Sequence, residues 1–327
     1  MPANQITIII LNWNGKEDTL ECLDSLDKID YPHHEIVVVD NGSTDGSVSA
    51  IRQQFPNTHI IETGQNLGFA EGNNVGIHYA LESNSDYILV LNNDTWVNRN
   101  LLSTLVETAC ATDNKFVYGP AILYANPEDT IWFAGGKWNQ KKLTFDYPLQ
   151  GEKITNLPAD PYETDYICGA ALFFHRSIAE KIGFFDKRFF LVWEESDWCY
   201  RANNAGYPSL MVPESKIWHK VGVSFGSESS PLRQYFSTRN RLLWIEKNLS
   251  QSIAFKTALQ SLLATLPSFQ LTAHTSTPLR KRLLWSVLAY FKSWQDLTTN
   301  KVRKAKLRGA TNYLLRKFGD CPASLRK

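Results

Sequence analysis

Three short apolar runs, residues 6–11 (ITIIIL), 36–39 (IVVV) and 87–91 (YILVL), are of strand length and show no polar–apolar alternation. Strands apolar on both faces must be covered on both faces, which is the condition of a parallel sheet with helices above and below. The first two runs are separated by a segment in which Leu20, Leu23 and Leu26 recur at helical spacing with acids between them. The same alternation predicts a helix over 46–55, a short strand over 59–62 and a helix over 73–81. It resumes with a strand over 166–174 and a helix over 177–182. Strands and helices in this order predict an α/β fold on a doubly wound, mainly parallel sheet with flanking helices.

In such sheets ligands settle beyond the carboxyl ends of the strands. Here three strands run out into polar clusters, Asn12-Trp13-Asn14-Gly15, Asp40-Asn41-Gly42-Ser43 and Asn92-Asn93-Asp94. The three are expected to converge on one site. Asp40 opens a loop whose glycines let the backbone approach a ligand closely. A carboxylate there can accept from a base imide or a ribose hydroxyl, or it can simply form a turn; the strand-end position favours the nucleotide. Asp45, at the start of a helix, reads as a cap. Trp13 presents a face on which a base stacks, and a core tryptophan is an equal reading of its spacing. Asp94 is enough of a protein anchor for Mg²⁺ or Mn²⁺ when substrate phosphates complete the shell, and an Asx turn is the rival.

Further along, Trp193-Glu194-Glu195-Ser196-Asp197 sets three acids among Phe189, Phe190, Trp193 and Trp198. Acids crowded among aromatics lift at least one pKa, as a general base requires. His219, alone in its segment, reads as structural when nothing else is considered. Between these segments, residues 131–136 (IWFAGG) suggest an inserted hairpin on the acceptor side.

Charge divides the chain. Residues 1–250 carry 20 Lys and Arg against 31 Asp and Glu, whereas residues 251–327 carry 14 against 2. The expected organisation is a catalytic domain over 1–250 and a basic helical extension over 251–327. Leu283, Leu284, Val287, Leu288 and Phe291 lie at helical spacing beside Arg280, Lys281, Arg282 and Lys292. A basic amphipathic helix of this kind suits an anionic membrane surface. Nucleic acid is the competing partner for such charge, but no recognisable binding module accompanies it, so none is expected. Packing on the acidic body is the remaining alternative. The five cysteines show no paired spacing and no export signal is recognised, so the expected location is cytoplasmic, peripheral to the membrane.

In this order, ITIIILNWNG, EIVVVDNGSTDGS, NLGFAEGNNVGI, VLNNDT and the long segment 166–207 resemble glycosyltransferase family 2, the inverting nucleotide-sugar enzymes of GT-A fold. The resemblance spans roughly residues 5–245 and is nearest to the bacterial rhamnosyltransferase-like subgroup that builds surface polysaccharides. It implies a nucleotide diphosphate sugar donor and a glycan or polyprenyl-linked acceptor. It implies donor contacts from Trp13, Asp40, Asn93 and Arg239, the last in YFSTRNRLLW. It further implies a divalent metal, Mg²⁺ or Mn²⁺, on Asp94 with His219. Glu195 stands at the position of the catalytic base, with Trp193, Glu194 and Asp197 in the acceptor region. The chain departs from the family pattern twice: Asn92-Asn93-Asp94 keeps one acid of the metal motif, and Glu195 stands where an aspartate is usual. A sugar nucleotidyltransferase and a non-catalytic sugar-nucleotide binding protein are the alternative functions. The first would want a basic Gly-rich phosphate loop, of which residues 12–16 are a poor version; the second would make Glu195 dispensable.

Overall fold

The computed structural model describes residues 4–83, 85–221, 230–265 and 299–326, with single positions between 286 and 296. The chain forms two compact units, Met1–Val223 and Ser224–Lys327.

The first unit opens β1 (Ile6–Asn12), α1 (Lys16–Leu26), β2 (His34–Asp40), α2 (Ser47–Gln54), β3 (His59–Glu62), α3 (Gly68–Glu82) and β4 (Tyr87–Asn92). Strand β1 lies between β2 and β4, parallel to both, and β3 adds to β2. The register sets Asn12 opposite Asp40 and Leu11 opposite Asn92, so three polar strand ends lie side by side. Acids Glu17 and Asp18 sit in the first turn of α1, where they complement the helix dipole.

Helix α3 begins five residues before the predicted start. Its glycines lower helix propensity, yet Gly72 and Gly76 are what bring it onto the sheet. A Cβ at Gly72 would lie 2.5 Å from Leu11, and one at Gly76 would lie 2.4 Å from Ile9. The amide side chains of Asn66 and Asn41 accept from the N–H groups of Gly68 and Leu67, satisfying donors at its first turn.

After β4 come β5 (Thr95–Val97), α4 (Leu101–Ala111) and β6 (Val117–Tyr124), then an insertion with β7 (Ile131–Phe133), the hairpin β8 (Lys137–Asn139) and β9 (Thr144–Asp146), and β10 (Tyr162–Thr164). The unit closes with β11 (Ala171–His175), α5 (Arg176–Ile182), α6 (Glu194–Asn204) and β12 (Ser209–His219). The sheet runs β10-β12-β6-β11-β4-β1-β2-β3. It is mixed rather than purely parallel, because β11 enters antiparallel between β4 and β6. Residues 166–170, predicted as strand, instead turn across the strand ends before pairing begins at Ala171.

The second unit holds α7 (Pro231–Asn248), α8 (Gln251–Thr265) and α9 (Lys301–Leu314), which pack on one another. The expected boundary near residue 250 therefore falls inside this unit: α7 belongs with the helices that follow it. The predicted basic helix around 280–292 lies largely outside the described residues. Among the described residues no helix is long and apolar enough to cross a membrane.

Candidate active site

Two loops at the ends of β1 and β2 are joined by side chains. Asn12 Nδ2 donates to Asp40 Oδ2 at 2.8 Å and to Ser43 Oγ at 3.1 Å, while Asp40 Oδ1 accepts from the Ser43 N–H at 2.9 Å. Asn14 Oδ1 accepts from the Thr44 N–H at 2.7 Å, and Asp45 accepts from the N–H groups of Lys16 and Ser47. Burial opposes ionisation of Asp45, but these donors and the Ser47 hydroxyl outweigh it and hold the carboxyl below its ordinary value. Asp40 is 3% exposed with both oxygens engaged inside the loop. Asp40 thus shapes the loop, and a contact from it to a base or ribose stands as a proposal, as does stacking on Trp13, which is 46% exposed. Asn93 is tied to the same loops, donating to Thr19 Oγ1 at 3.0 Å and resting on Gly15, where a Cβ would meet its amide at 2.4 Å.

Beyond β4 the chain makes one short turn and enters β5, which pairs with the end of β12 and sets Thr95 opposite His219. This pairing brings His219 Nε2 to 3.0 Å from Asp94 Oδ1, both residues being buried. The Lys220 N–H donates to the Asp94 carbonyl at 2.9 Å, and the Lys220 ammonium reaches Asp18 and Glu21 on α1, pinning the strand end.

The 3.0 Å approach is an ion-pair distance without hydrogen-bond geometry. Asp94 Oδ1 and His219 Nδ1 have no hydrogen-bond partner among the described residues, and neither has the indole N–H of Trp132, whose ring meets His219 edge-on at 4.5 Å. Of these atoms Asp94 Oδ1 is the one at the 3.0 Å contact, and a buried oxygen left in this state has capacity for a further partner. An oxygen and an imidazole nitrogen about 3 Å apart also match two neighbouring ligands on an ion with bonds of about 2.1 Å. The residues present therefore fit a small divalent cation. Among the described residues no third His, Cys, Asp or Glu joins them, leaving the remaining positions to substrate oxygens and water.

The acids at the start of α6 divide by role. Asp197 is fully buried and accepts from Arg201 Nε at 3.1 Å, while Arg201 also donates to the carbonyls of Ile182 and Phe184 at 2.7 Å. Through Arg201, Asp197 is linked to the backbone of residues 182–184. Glu194 is 3% exposed, and its Oε2 has no hydrogen-bond partner among the described residues. Burial, and then the neighbouring Glu195 charge, push its carboxyl well above the usual range. Glu195 is only partly buried, and its Cβ lies 3.6 Å from where a Cβ on Gly169 would sit. Since the Ala170 carbonyl accepts from the Asn92 N–H at 3.0 Å, the acid helix begins beside the end of β4, two residues before Asp94.

That helix start is held by backbone the sequence reading did not single out. Phe190, Val192 and Trp193 all have left-handed φ, at 64°, 62° and 79°. Such conformations persist only where neighbours enforce them. Here the N–H groups of Phe69 and Ala70 at the start of α3 donate to the Phe190 carbonyl at 2.6 and 3.2 Å.

The insertion also contributes more than its sequence disclosed. Its rings form a continuous wall from the acids to the histidine: Trp193–Phe145, Phe145–Tyr166, Tyr166–Phe133, Phe133–Trp132 and Trp132–His219, with centroids 4.5–6.4 Å apart. Tyr147, 41% exposed, accepts from the Tyr166 hydroxyl at 2.9 Å. Arg239 has no such place. It is fully buried in the second unit, donating to the Gly319 carbonyl at 2.5 Å and to Asn240 at 2.9 Å, with its guanidinium over Tyr235 and Phe236. Burial opposes its charge and holds the guanidinium below its ordinary value, and a donor contact from Arg239 stands as a proposal.

A family model described as Glycosyl transferase family 2 matches residues 7–183. The low-salt glycan biosynthesis hexosyltransferase Agl10 of Haloferax volcanii is 29% identical over 262 residues, covering 76% of this chain and 78% of that protein. The N-acetylglucosaminyl-diphospho-decaprenol L-rhamnosyltransferase of Mycobacterium tuberculosis is 25% identical over 217 residues, covering 59% and 68%. Among solved structures, mannosyltransferase PcManGT from Pyrobaculum calidifontis, in complex with GDP-Man and Mn²⁺, aligns with a TM-score of 0.56 at 18% identity, over 96% of this chain and 88% of that one. At that identity the likeness is one of fold.

Proposed function

The chain belongs to glycosyl transferase family 2, and from that membership we propose an inverting transfer of a sugar, with rhamnose the first candidate, from a nucleotide diphosphate donor to a glycan or polyprenyl-linked hydroxyl. The observation that carries this reading is the meeting of Asp94 with His219 at the strand end beside which Glu195 begins α6. The relatives named for hexosyl and rhamnosyl transfer support the choice of chemistry, and the decaprenol in one name supports a lipid-linked acceptor.

In this reading the donor base stacks on Trp13, over loops whose shape Asn12 and Asp40 hold. The acceptor approaches along the aromatic wall of the insertion. Glu195 takes the proton of the acceptor hydroxyl as its oxygen bonds to the anomeric carbon. The bond from that carbon to the diphosphate breaks on the opposite side, and nucleoside diphosphate leaves with the electron pair. Burial and the neighbouring Glu195 charge favour the protonated form of Glu194, which eases the crowding of charge beside the base. Asp94 and His219 would hold a divalent cation, which supplies neutralisation of the charge growing on the leaving phosphates. The setting would be the cytoplasmic side of the membrane.

A panel of nucleotide sugars screened by calorimetry identifies the donor, and turnover with a glycan acceptor then releases free nucleoside diphosphate. Release of pyrophosphate would instead identify a nucleotidyltransferase. Donor binding without any transfer, unchanged in Glu195→Gln, would identify a binding protein.

A further inference from the structure

Helix α8 turns its small residues inward and its large ones outward. Ala254, Thr257 and Ala258 are its buried residues, and the helix packs with α7 and α9. Phe255, Leu259 and Leu263, at i, i+4 and i+8, are 58%, 48% and 61% exposed. With Ile253 two residues before Phe255, this one helix holds four of the seven large hydrophobic side chains exposed among the described residues. Surface helices of globular units show the opposite polarity. The small face permits close helix packing, and the large face is left as an apolar stripe of the kind that marks an interaction site.

The surroundings of the stripe are cationic. Helix α8 has Lys256 and no acid. Its last turn is bonded to the first turn of α9, where Arg303 Nε donates to the Thr265 carbonyl at 2.8 Å. Helix α9 exposes Lys301, Lys304, Lys306 and Arg308. Residues 251–327 as a whole carry 14 Lys and Arg against 2 acids. A second copy docking here would set like charges against each other, which disfavours self-association. An anionic bilayer satisfies both features, since its interface takes apolar side chains and its headgroups attract lysine and arginine.

We propose that α8 seats the protein on an anionic membrane, with Phe255, Leu259 and Leu263 entering the interface and the exposed cations of α9 meeting the headgroups. The inference rests on the lipid-linked acceptor of the proposed function for its purpose, although its test requires no turnover.

The test is flotation of the full chain with phosphatidylcholine vesicles and with vesicles that also contain phosphatidylglycerol. The expected result is binding to the anionic vesicles, weakened by salt but not abolished, because screening acts on charges and not on buried apolar surface. The triple variant Phe255→Ser, Leu259→Ser, Leu263→Ser should bind about a thousandfold less, since burying each such side chain is worth about tenfold or more. A helical circular-dichroism spectrum and melting temperature matching those of the native chain show that the variant is folded, as expected for exposed positions. Equal flotation of native and triple-variant proteins overturns the proposal, as does equal binding to neutral and anionic vesicles. No flotation, together with a concentration-dependent dimer that the triple variant abolishes, makes the stripe a self-association surface and overturns it too. Flotation without any sugar transfer to a water-soluble acceptor would sink the proposed function alone.

Discussion

His219 Nε2 lies 3.0 Å from Asp94 Oδ1, and the contact exists only because β5, three residues long, pairs with the last residues of β12. The single acid of Asn92-Asn93-Asp94 is thereby joined by an imidazole nitrogen from a distant part of the chain. Asp94→Ala should lower transfer by about 10²–10³-fold, the usual cost of losing one group that stabilises a leaving anion. His219→Ala should cost about 10–100-fold. Chelation should do to the native enzyme what Asp94→Ala does, with Mn²⁺ or Mg²⁺ restoring the rate; full activity in excess EDTA would remove the metal from the mechanism.

Glu194 and Glu195 are neighbours of the same chemistry in different surroundings. Glu195→Gln keeps size and removes proton acceptance, so donor binding should persist while transfer falls by about 10²–10⁴-fold. Glu195→Asp should retain part of the rate. Glu194→Gln replaces a buried carboxyl, whose protonated form burial favours, with an amide of the same shape and should keep most of it. The reverse ranking of the two Gln variants would move the base to Glu194.

The same pair predicts a pH dependence of stability. Burial raises the folded-state pKa of Glu194 above its unfolded value. Its contribution is therefore complete below the unfolded carboxylate range and is lost as pH rises through the raised value. In Glu194→Gln this loss disappears, so the variant should match the native protein in acid and exceed its melting temperature increasingly as pH rises. Parallel melting curves across that window would show that Glu194 does not titrate as described.

Gly68 has φ of +80°, and a Cβ there would lie 2.5 Å from the Phe190 carbonyl oxygen. Gly68→Ala should lose about 1–3 kcal/mol from the left-handed backbone alone. The clash should also displace the loop that positions α6. Transfer should fall more than donor affinity, measured by kinetics beside calorimetry; equal losses in both would mean that the loop does not serve the acids.

Tyr147 stands exposed at the end of the aromatic wall, bonded to Tyr166. Tyr147→Ala should raise the acceptor KM by about 3–10-fold, the worth of one aromatic contact, with donor KM unchanged. A change in donor KM instead would place the wall on the other substrate.

Much of this site is local chemistry and was legible before folding. Runs such as IVVV can only be covered strands, and Asn, Gly and Asp after them can only be loops at strand ends, so the α/β class, the converging ends and the candidate set around Trp13, Asp94 and Glu195 followed from sequence. Short-range patterns carry no information about which distant elements pair or which side of a helix is covered. Two adjacent glutamates point about 100° apart on a helix, and only packing decided that Glu194 is buried and Glu195 partly buried. Asp40 and Arg239 had the right chemistry for a ligand, but Asn12 and Ser43 engage the first and the Gly319 carbonyl holds the second. The strand pairing that sets His219 opposite Thr95 is a long-range contact whose energy comes from the assembled sheet. For that reason the sequence determined which residues were available at the strand ends, and only the tertiary structure decided that Asp94 meets His219 and that α8 carries its leucines and phenylalanine on the outside.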